Sequence, residues 1–359
     1  MDNTYEWSVD RRSTNYERIT LFERQNIQAA ALIAKVQKFL SAHQPSAVLI
    51  PGWNSTASLA SLDWCKRNST KAILMCASSE KDFRRNRIAE FAKSRMVRNF
   101  DAAVVGGSAQ ADYVKKLGLS EHQIFRKYNV VDNTYFHHHA LDARSNASFL
   151  RASLRLPDRF FLTCSRLVPK KNIDTLLVSY AKYRGAVGPS AFSLVIVGDG
   201  PERETLEKAA SRLGIADSTQ FVGFVQYGDL PKYYALAECF LLLSTSEQWG
   251  LVVNEAMASM LPVIVSTQCG CVDDLVYHSK NGYRVSPFHE GQITQRLVDM
   301  TAANRIEMGH SSLQIISGWS PTDFASNAVE AIDSPRGGTY RLSDRLLIRW
   351  IATLRGLRG

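Results

Sequence analysis

The sequence predicts two doubly wound α/β domains, each built on a parallel β-sheet with helices on both faces. Its 359 residues, 45% of them hydrophobic, are enough to bury two separate cores. Short apolar runs alternate with amphipathic runs in two successive series, which is the pattern of strand–helix units. The apolar runs are continuous, as expected of strands buried on both faces. Ligands of such sheets bind at the carboxyl ends of the strands, so we expect two domains facing across a cleft.

The first series defines a domain that we place at residues 1–145. Its strands are predicted at residues 48–50, 72–75 and 102–105, and the helices after them begin at Ser55, Asp82 and Ser108. Residues 132–157 are polar and rich in histidine, which predicts an irregular linker. Three consecutive histidines, residues 137–139, are better interpreted as a solvated run than as a metal site.

The second series defines a domain that we place at residues 146–318. Its strands are predicted at residues 160–164, 193–197, 220–222, 239–243 and 263–265. Helices are predicted to begin near Ile173, Glu202, Asp229, Gly250 and Glu290. Ser320, Pro321 and Asp323 then form a strong helix start. Residues 319–333 are therefore predicted to form a crossover helix that returns to the first domain.

The last segment, residues 334–359, is predicted to form a basic amphipathic helix. Arginine occupies positions 336, 341, 345, 349, 355 and 358, and Asp344 opposes them. The apolar residues that would share one face are Leu342, Leu346, Trp350 and Leu354. Two interpretations fit this pattern equally well. Residues 336–358 contact an anionic membrane, or the helix docks on the protein's own surface.

Residues 84–100 form a second basic segment. Ile88, Phe91 and Met96 recur at helical spacing there, so we expect them to face the core and the arginines to face solvent.

The composition narrows the classes of partner and compartment. A net charge of +9 suits nucleic acid, an anionic membrane or phosphorylated ligands. No zinc-finger, RNA-recognition or helix-turn-helix signature is present, so no nucleic-acid partner is expected. No apolar run is long enough to span a membrane, the polar start does not resemble a signal peptide, and most of the six cysteines lie in apolar stretches. We therefore expect a cytoplasmic protein, peripheral on the inner face of the plasma membrane.

Glu247 and Glu255 are the most informative side chains in the sequence. Glu247 follows the strand predicted at residues 239–243, and Glu255 lies inside the helix that begins near Gly250. The helix N-terminus between them has free N–H groups and a positive dipole end, which attract an anion. Carboxylates repel phosphate but accept hydrogen bonds from hydroxyl groups on either side of it, as in ribose, diphosphate and sugar. Taken alone, a chance pair on a surface helix is the commoner explanation.

Cations suited to a diphosphate follow the first strand of the same domain. Arg166 offers a bidentate guanidinium and Lys171 a point charge, although a solvated surface pair is the alternative. No Asp-x-Asp pair is present to hold Mg²⁺ or Mn²⁺, so neither a metal nor a cofactor is expected. Gly198 begins a glycine-rich turn, but Arg203 replaces the third glycine of a dinucleotide fingerprint, which disfavours an NAD site.

These segments resemble glycosyltransferase family 4, retaining enzymes of the GT-B fold with two Rossmann-like domains. The resemblance rests on SRLVPKKN, LVIVGDGPER, VGF, LSTSEQWGLVVNEAMA and LPVIVS. It implies that Glu255 binds the ribose, that Glu247 binds the donor sugar, and that Arg166 and Lys171 stabilise the diphosphate. The other donor-binding residues that we assign from it are Gly198, Phe224, Val225, Gly250, Leu251 and Val252.

The first half resembles the acceptor lobe of the same family less specifically. The residues that we place on the acceptor side are Trp53, Ser78, Asp82 and Arg85. The hydrophobic strand and loop with which the family normally opens are not recognised before Gln25, which predicts an incomplete first domain. Met260 stands where the family usually has glycine, and in a left-handed conformation its side chain would cost about 1 kcal/mol.

The resemblance implies a retaining hexosyltransferase. It would move a sugar from a nucleotide-diphosphate donor to a saccharide or lipid-linked acceptor in cell-surface polysaccharide synthesis. The alternative is a catalytically impaired nucleotide-sugar-binding fragment that lacks a complete acceptor lobe. A nucleotide-sugar epimerase on the same fold is a weaker alternative.

Overall fold

The structure, a computed structural model, describes residues 16–21, 27–82, 86–337 and 340–355. The chain divides into two compact units. Unit 1 comprises the described residues up to Tyr128 and those from Phe324 onward, and unit 2 comprises Asn129–Asp323. Each unit contains a parallel sheet with helices packed on it, as the sequence predicts.

Unit 1 has a four-stranded parallel sheet in the order β1-β2-β3-β4. The strands are β1 (Ala47–Pro51), β2 (Lys71–Cys76), β3 (Ala102–Val105) and β4 (Ile124–Phe125). The helices are α1 (Ala29–His43), α2 (Thr56–Arg67), α3 (Arg87–Val97) and α4 (Ser108–Lys116). No described residue before Ala47 is in a strand, and residues 1–15 and 22–26 lie outside the described residues. The incomplete first domain therefore stays a prediction.

Unit 2 has a six-stranded parallel sheet in the order β10-β9-β8-β5-β6-β7. The strands are β5 (Phe160–Cys164), β6 (Ser193–Val197), β7 (Thr219–Gly223), β8 (Cys239–Leu242), β9 (Val263–Ser266) and β10 (Gly282–Val285). The helices are α5 (Asn133–Ser145), α6 (Ala147–Leu154), α7 (Ile173–Val187), α8 (Arg203–Arg212), α9 (Leu230–Leu236), α10 (Leu251–Ala258), α11 (Val272–Leu275), α12 (Glu290–Ala302) and α13 (Arg305–Ser317). The five predicted strands are confirmed within one residue at each end.

The predicted linker at residues 132–157 is wrong, because α5 and α6 occupy most of it. In α5, Phe136, Ala140 and Ala143 are buried at helical spacing and belong to the core of unit 2. Because α5 packs against α9, it belongs to unit 2. The boundary between the units therefore lies after Tyr128, earlier in the chain than the boundary predicted after residue 145. Three small or aromatic side chains in a polar stretch carry too little periodicity to be detected from sequence.

Two further helices complete unit 1. The first, α14 (Pro321–Asp333), begins with the predicted capping box, in which Asp323 N donates to Ser320 Oγ over 3.2 Å and Ser320 N donates to Asp323 Oδ2 over 3.0 Å. Its Ala331 is fully buried against Ile73 and Val104 of the unit 1 sheet. The second is α15 (Leu342–Arg355).

The tail helix α15 docks on the surface of unit 1. Ile348 and Ala352 are 1% and 2% exposed in the same core cluster as residues of α1 and α2. The Asp63 carboxylate in α2 is almost fully buried and accepts hydrogen bonds from Tyr340 Oη (3.0 Å) and Arg349 Nε (3.2 Å). A buried carboxylate needs such partners, so Asp63 helps to fix α15 in place.

The predicted apolar face of α15 is not the face that docks. Leu342, Leu346 and Trp350 are 69%, 61% and 62% exposed, and the Leu354 side chain lies outside the described residues. In α3, the expectation that Ile88 and Phe91 face the core is wrong, since they are 81% and 66% exposed. Unit 1 therefore carries five large apolar side chains in solvent on two helices.

The end of α10 confirms the suspected strain at Met260. Met260 has φ +61°, and the turn has both hydrogen bonds of a Schellman motif, from Met260 N to Met257 O (3.0 Å) and from Leu261 N to Ala256 O (3.0 Å). A Cβ on Gly309 would lie 2.2 Å from the Met260 carbonyl oxygen, so α13 packs directly on this turn. The left-handed conformation is therefore fixed by its surroundings.

Met260→Gly is expected to be more stable than Met260→Ala by about 1 kcal/mol, because glycine adopts a left-handed conformation without the steric penalty of a Cβ. Both variants remove the methionine side chain, so their difference in free energy of unfolding, measured by urea denaturation, isolates the backbone strain. Equal stability of the two variants would contradict this explanation.

Candidate functional site

The candidate site of unit 2 lies at the carboxyl ends of its parallel strands. Strand β8 pairs with β5 on one side and β9 on the other, so the loops after β5 and β8 are neighbours. The β5 loop carries Arg166 and Lys171, whereas the β8 loop carries Glu247 and leads into α10. Parallel pairing thus brings together residues that are far apart in the sequence, as predicted.

Two glycines hold the β5 loop in place. A Cβ on Gly198 would lie 1.9 Å from the carbonyl oxygen of Ser165, and one on Gly200 would lie 2.4 Å from that of Leu167. Leu167 N also donates to Asp199 O over 2.9 Å. The predicted donor-binding residue Gly198 therefore supports the segment that carries Arg166. The Arg166 side chain is exposed, and no hydrogen bond or ion pair joins it to any residue within the described ranges.

Lys171 and Glu247 form an ion pair, with 14% and 17% of their side chains exposed. The Glu247 backbone is fixed by the loop after β9, since Glu247 N donates to Gln268 O (3.3 Å) and Gly270 N donates to Glu247 O (2.9 Å). The pair places a cation and a hydrogen-bond acceptor side by side at the sheet edge. This arrangement suits a ligand that carries both negative charge and hydroxyl groups.

The N-terminus of α10 opens beside Glu247. Gly250 precedes it with φ +101°, and a Cβ there would lie 2.9 Å from Leu242 Cδ2, so only glycine fits this turn without displacement. The N–H groups of Leu251 and Val252 are in the first helical turn, where no intrahelical acceptor exists. The positive end of the helix therefore lies in the segment of chain that joins the two acidic residues.

Trp249 anchors the β8 loop. Its indole Nε1 donates to Asn254 Oδ1 over 2.9 Å, and Asn254 Nδ2 donates to Asn129 O over 3.1 Å. The Trp249 ring, 2% exposed, stacks on Trp319 with ring centroids 5.6 Å apart. These contacts restrict the movement of the segment that leads from Glu247 to α10.

Glu255 is a buried carboxyl on the first turns of α10. It is 8% exposed, and its Oε2 accepts a hydrogen bond from Tyr234 Oη of α9 over 2.8 Å. Burial raises the pKa of Glu255 to about 7, and the hydrogen bond from Tyr234 acts in the opposite direction. Beside them, burial raises the pKa of the Cys164 thiol to about 12, so Cys164 remains a neutral neighbour.

The remaining donor-side candidates follow β7. Phe224 and Val225 are half-buried directly after Gly223, the last residue of that strand, and Val225 packs on the core of unit 2. In the sheet order, β6 separates β7 from β5, so these residues lie two strands away from the β5 loop.

The acceptor-side candidates all belong to unit 1. Trp53 is 2% exposed and packs 6.2 Å from the Tyr113 ring, so it is a core residue rather than a surface one. Asp82, 8% exposed, accepts from Ser79 N and Ser79 Oγ over 2.8 and 2.7 Å. Ser78 is half-buried between β2 and this turn, and Arg85 lies outside the described residues.

Across residues 16–21, 27–82, 86–337 and 340–355, no cluster of histidine, cysteine, aspartate and glutamate side chains is arranged to hold a metal ion. None of the helices in those same ranges has the length and hydrophobicity needed to span a bilayer.

Comparison with known proteins shows which family unit 2 resembles. The profile described as glycosyl transferases group 1 matches residues 147–303, which lie within unit 2. Residues 147–303 are therefore similar to the group 1 glycosyl transferases. A GDP-mannose-dependent α-(1-6)-phosphatidylinositol monomannoside mannosyltransferase from Mycobacterium tuberculosis is 38% identical over 161 residues, covering 43% of this chain and 40% of that protein. An α-monoglucosyldiacylglycerol synthase from Streptococcus pneumoniae is 36% identical over 123 residues, covering 34% and 27%.

Solved structures confirm the GT-B fold. The Anabaena protein HepE, crystallised with UDP, superposes with a TM-score of 0.69 at 19% identity, covering 86% of this chain and 85% of that one. Sucrose-phosphate synthase from Thermosynechococcus elongatus gives a TM-score of 0.66 at 19% identity, covering 87% and 81%. By contrast, the curated sequence relatives named above match this chain over less than half of their own length.

The structure adds residues at the candidate site of unit 2 that the sequence did not single out. Tyr234 contacts Glu255, and Trp249 with Asn254 clamps the loop between the two acids. Aromatic residues in apolar helices are usually core residues, so no sequence signal separates Tyr234 from its neighbours. Its hydroxyl became informative only when the fold placed it against a buried carboxyl.

Glu255→Gln is expected to stabilise the protein more at pH 8 than at pH 5. The folded-state pKa of about 7 lies above the usual glutamate value, so the folded protein retains a proton that the unfolded chain loses, and this contribution to stability falls as pH rises towards 7. Glutamine keeps an acceptor for Tyr234 without titrating. The additional stabilisation at pH 8 should be about 2 kcal/mol by urea denaturation.

Glu204→Gln, at a side chain 80% exposed, is the matched control and should change stability equally at both pH values. If Glu255→Gln also gives the same change at both, the buried carboxyl does not titrate in this range.

Proposed function

We propose that this chain is a retaining hexosyltransferase that uses a nucleotide-diphosphate sugar as donor. The observation that carries the proposal is the ion pair between Lys171 and Glu247, which lies beside the N-terminus of α10, the helix that carries Glu255. Along the chain, an anion-binding helix end is flanked by two side chains that accept hydrogen bonds from hydroxyl groups. This order matches the order of sugar, diphosphate and ribose in a nucleotide-sugar. The acceptor is a saccharide or a lipid-linked glycan at the cytosolic membrane face, in the synthesis of cell-surface glycans.

The same geometry suggests how the reaction is promoted. The bond between the sugar anomeric carbon and the diphosphate oxygen breaks, and a bond forms from that carbon to the acceptor hydroxyl oxygen on the same face. The acceptor proton passes to the departing diphosphate. Lys171, Arg166 and the N–H groups of Leu251 and Val252 stabilise the charge that develops on the diphosphate. Glu247 accepts hydrogen bonds from the donor sugar and Glu255 from the ribose.

These side chains can act without a metal ion. Lys171 and Arg166 supply two positive charges at the diphosphate position, the role that Mg²⁺ or Mn²⁺ has in enzymes that carry an Asp-x-Asp pair. We therefore propose that neither a metal nor another cofactor takes part.

Isothermal titration with UDP and GDP, carried out in EDTA, tests the donor site. We expect at least one to bind, and Glu255→Ala and Arg166→Ala each to weaken binding about tenfold or more, because each removes a charged hydrogen-bonding group. Arg212→Ala removes an exposed arginine from the end of α8 and is the matched control for charge. Binding of neither nucleotide, or unchanged affinity in both site variants, would rule out the proposed donor site.

Turnover separates transfer from binding alone. A screen of UDP- and GDP-sugars for donor hydrolysis and for transfer to extracted lipids should give a product that retains the donor's anomeric configuration. Tight nucleotide binding without any turnover would instead support the nucleotide-sugar-binding fragment.

We further propose that unit 1 contacts an anionic membrane through α3 and α15. By their names, one of the relatives above is a phosphatidylinositol monomannoside mannosyltransferase and the other is an α-monoglucosyldiacylglycerol synthase. A soluble chain that meets such acceptors needs to reach the lipid surface. The tail assigned to this role, residues 336–358, includes residues 338–339 and 356–358, which lie outside the described residues.

The five exposed apolar residues form the contact surface. Arg95 Nε donates to Asp344 Oδ1 over 2.6 Å and its Nη2 donates to Ser343 Oγ over 2.8 Å, which joins α3 to the start of α15. Ile88, Phe91 and Arg95 share one face of α3, and Leu342 is next to Ser343. Exposed apolar side chains rimmed by arginine are typical of helices that lie in the membrane interface.

Co-sedimentation with vesicles of phosphatidylcholine containing 30% phosphatidylglycerol tests this surface. Leu346→Gln/Trp350→Gln should reduce the bound fraction about tenfold, because it removes apolar area from the interface without touching the docked face. Leu141→Gln/Phe149→Gln, at exposed sites 45% and 72% accessible on unit 2, is the matched control. Unchanged binding of the α15 variant would contradict membrane contact through this surface and favour a protein partner for it. Equal binding to pure phosphatidylcholine would contradict an anionic membrane as partner.

A further inference from the structure

We infer that Tyr234 is the positioning residue of the ribose-binding carboxylate: its hydroxyl fixes the Glu255 side chain and favours the ionised form that can accept two ribose hydroxyl groups. The inference rests on the proposed function, since it takes Glu255 as the ribose ligand. It assigns a specific task in donor binding to a residue outside the loops that carry the site.

The geometry supports this role. Tyr234 is fully buried in the middle of α9, and its ring packs 6.0 Å from Phe136 and 5.7 Å from Phe240, so these neighbours restrict movement of the ring. The Oη–Oε2 distance to Glu255 is 2.8 Å, a normal length for a hydrogen bond to a carboxyl group. Burial raises the pKa of Tyr234 well above its usual value, so the phenol keeps its proton and remains a donor.

The surroundings of Glu255 make this donor important. The ionisable groups that interact with Glu255 from the packed elements are Tyr234 on α9, Cys164 at the end of β5, and Tyr227 in the turn after β7. All three are neutral groups whose pKa values are raised by burial, so none of them supplies a positive charge. Within the described residues, the hydrogen bond from Tyr234 is the contribution that lowers the Glu255 pKa.

The charge state of Glu255 decides what it can bind. A carboxylate only accepts hydrogen bonds, and with one site occupied by Tyr234 its other lone pairs remain available for the two hydroxyl groups of a ribose. A protonated carboxyl group carries an O–H donor of its own, so it would present a donor to the ribose O–H groups where an acceptor is needed. Donor binding should therefore release a proton, and affinity should rise with pH through the titration of Glu255.

The test is the pH profile of the dissociation constants of UDP and GDP, from about pH 5.5 to pH 9, by isothermal titration. The wild-type profile should have a midpoint near 7, the pKa of Glu255. Tyr234→Phe removes only the hydroxyl and should raise the midpoint by about 1 pH unit, because a hydrogen bond to a charged group is lost. At about pH 6.5 its affinity should fall several-fold below wild type, while at pH 9 the two should agree within about threefold.

Three comparisons separate positioning from general disturbance. Tyr233→Phe removes the hydroxyl of the adjacent buried tyrosine and should leave the midpoint unchanged. Glu255→Gln should abolish the part of the pH dependence of the dissociation constants that comes from Glu255. Adding Tyr234→Phe to that variant should cause no further pH-dependent change in affinity. Titration of the nucleotide phosphates is common to all variants and cancels in the comparison.

The outcomes are distinct. If Tyr234→Phe weakens binding equally at every pH, or leaves the profile unchanged, the positioning role is overturned while the donor site stands. If the wild-type chain binds neither nucleotide at any pH, the proposed function itself fails, and this inference fails with it. Should Tyr234→Phe not fold, Glu255→Asp draws the carboxylate away from the hydroxyl and must raise the midpoint in the same way; a fixed midpoint there overturns the inference.

Discussion

The side-chain amide of Asn172 is the contact on which the site of unit 2 depends. It is 7% exposed, and its Nδ2 donates to Leu243 O over 3.2 Å and to Pro287 O over 2.8 Å. These carbonyls follow β8 and β10, whereas Asn172 itself closes the loop after β5. Since buried carbonyls need donors, one amide satisfies two strand ends and fixes the β5 loop, with Lys171 beside it, against the loop that carries Glu247.

Around this contact, the candidate site combines two closely packed loops with one exposed side chain. Close backbone packing at Gly198 and the clamp at Trp249 leave the two loops little freedom. Arg166 differs, because its side chain is exposed and unbonded within the described residues. In the proposed donor complex, the closely packed loops position the two carboxylates, and the long, exposed Arg166 side chain reaches the diphosphate.

The sequence predicts those parts of the fold that depend on local patterns. Continuous apolar runs located the strands, and the capping box at Ser320 was visible because its residues are adjacent in sequence. The helix at α5 and the docked face of α15 were not predicted, because both depend on which distant surface receives them. Ile88 illustrates the same limit: its spacing in the sequence is that of a core residue, but in the fold its side chain is exposed to solvent.

The same distinction applies to the site. Glu247 and Glu255 could be selected from sequence because a strand, a helix start and two acids follow one another within one segment. The partner of Glu255 could not, since Tyr234 reaches it only through the packing of α9 on α10. The ion pair between Lys171 and Glu247 likewise joins residues 76 positions apart, which the parallel sheet alone brings together.

The docking of α15 has a consequence for the order in which the protein folds. Thr56 in α2 donates a hydrogen bond to the carbonyl of Ala352 in α15, 296 positions along the chain. This contact between α2 and α15 cannot form until all of unit 2 has been synthesised. Unit 2, by contrast, is one continuous segment and does not wait for a later part of the chain. The unit translated first is thus the unit completed last, and until α15 emerges from the ribosome the nascent chain exposes the core surface that Ile348 and Ala352 later cover.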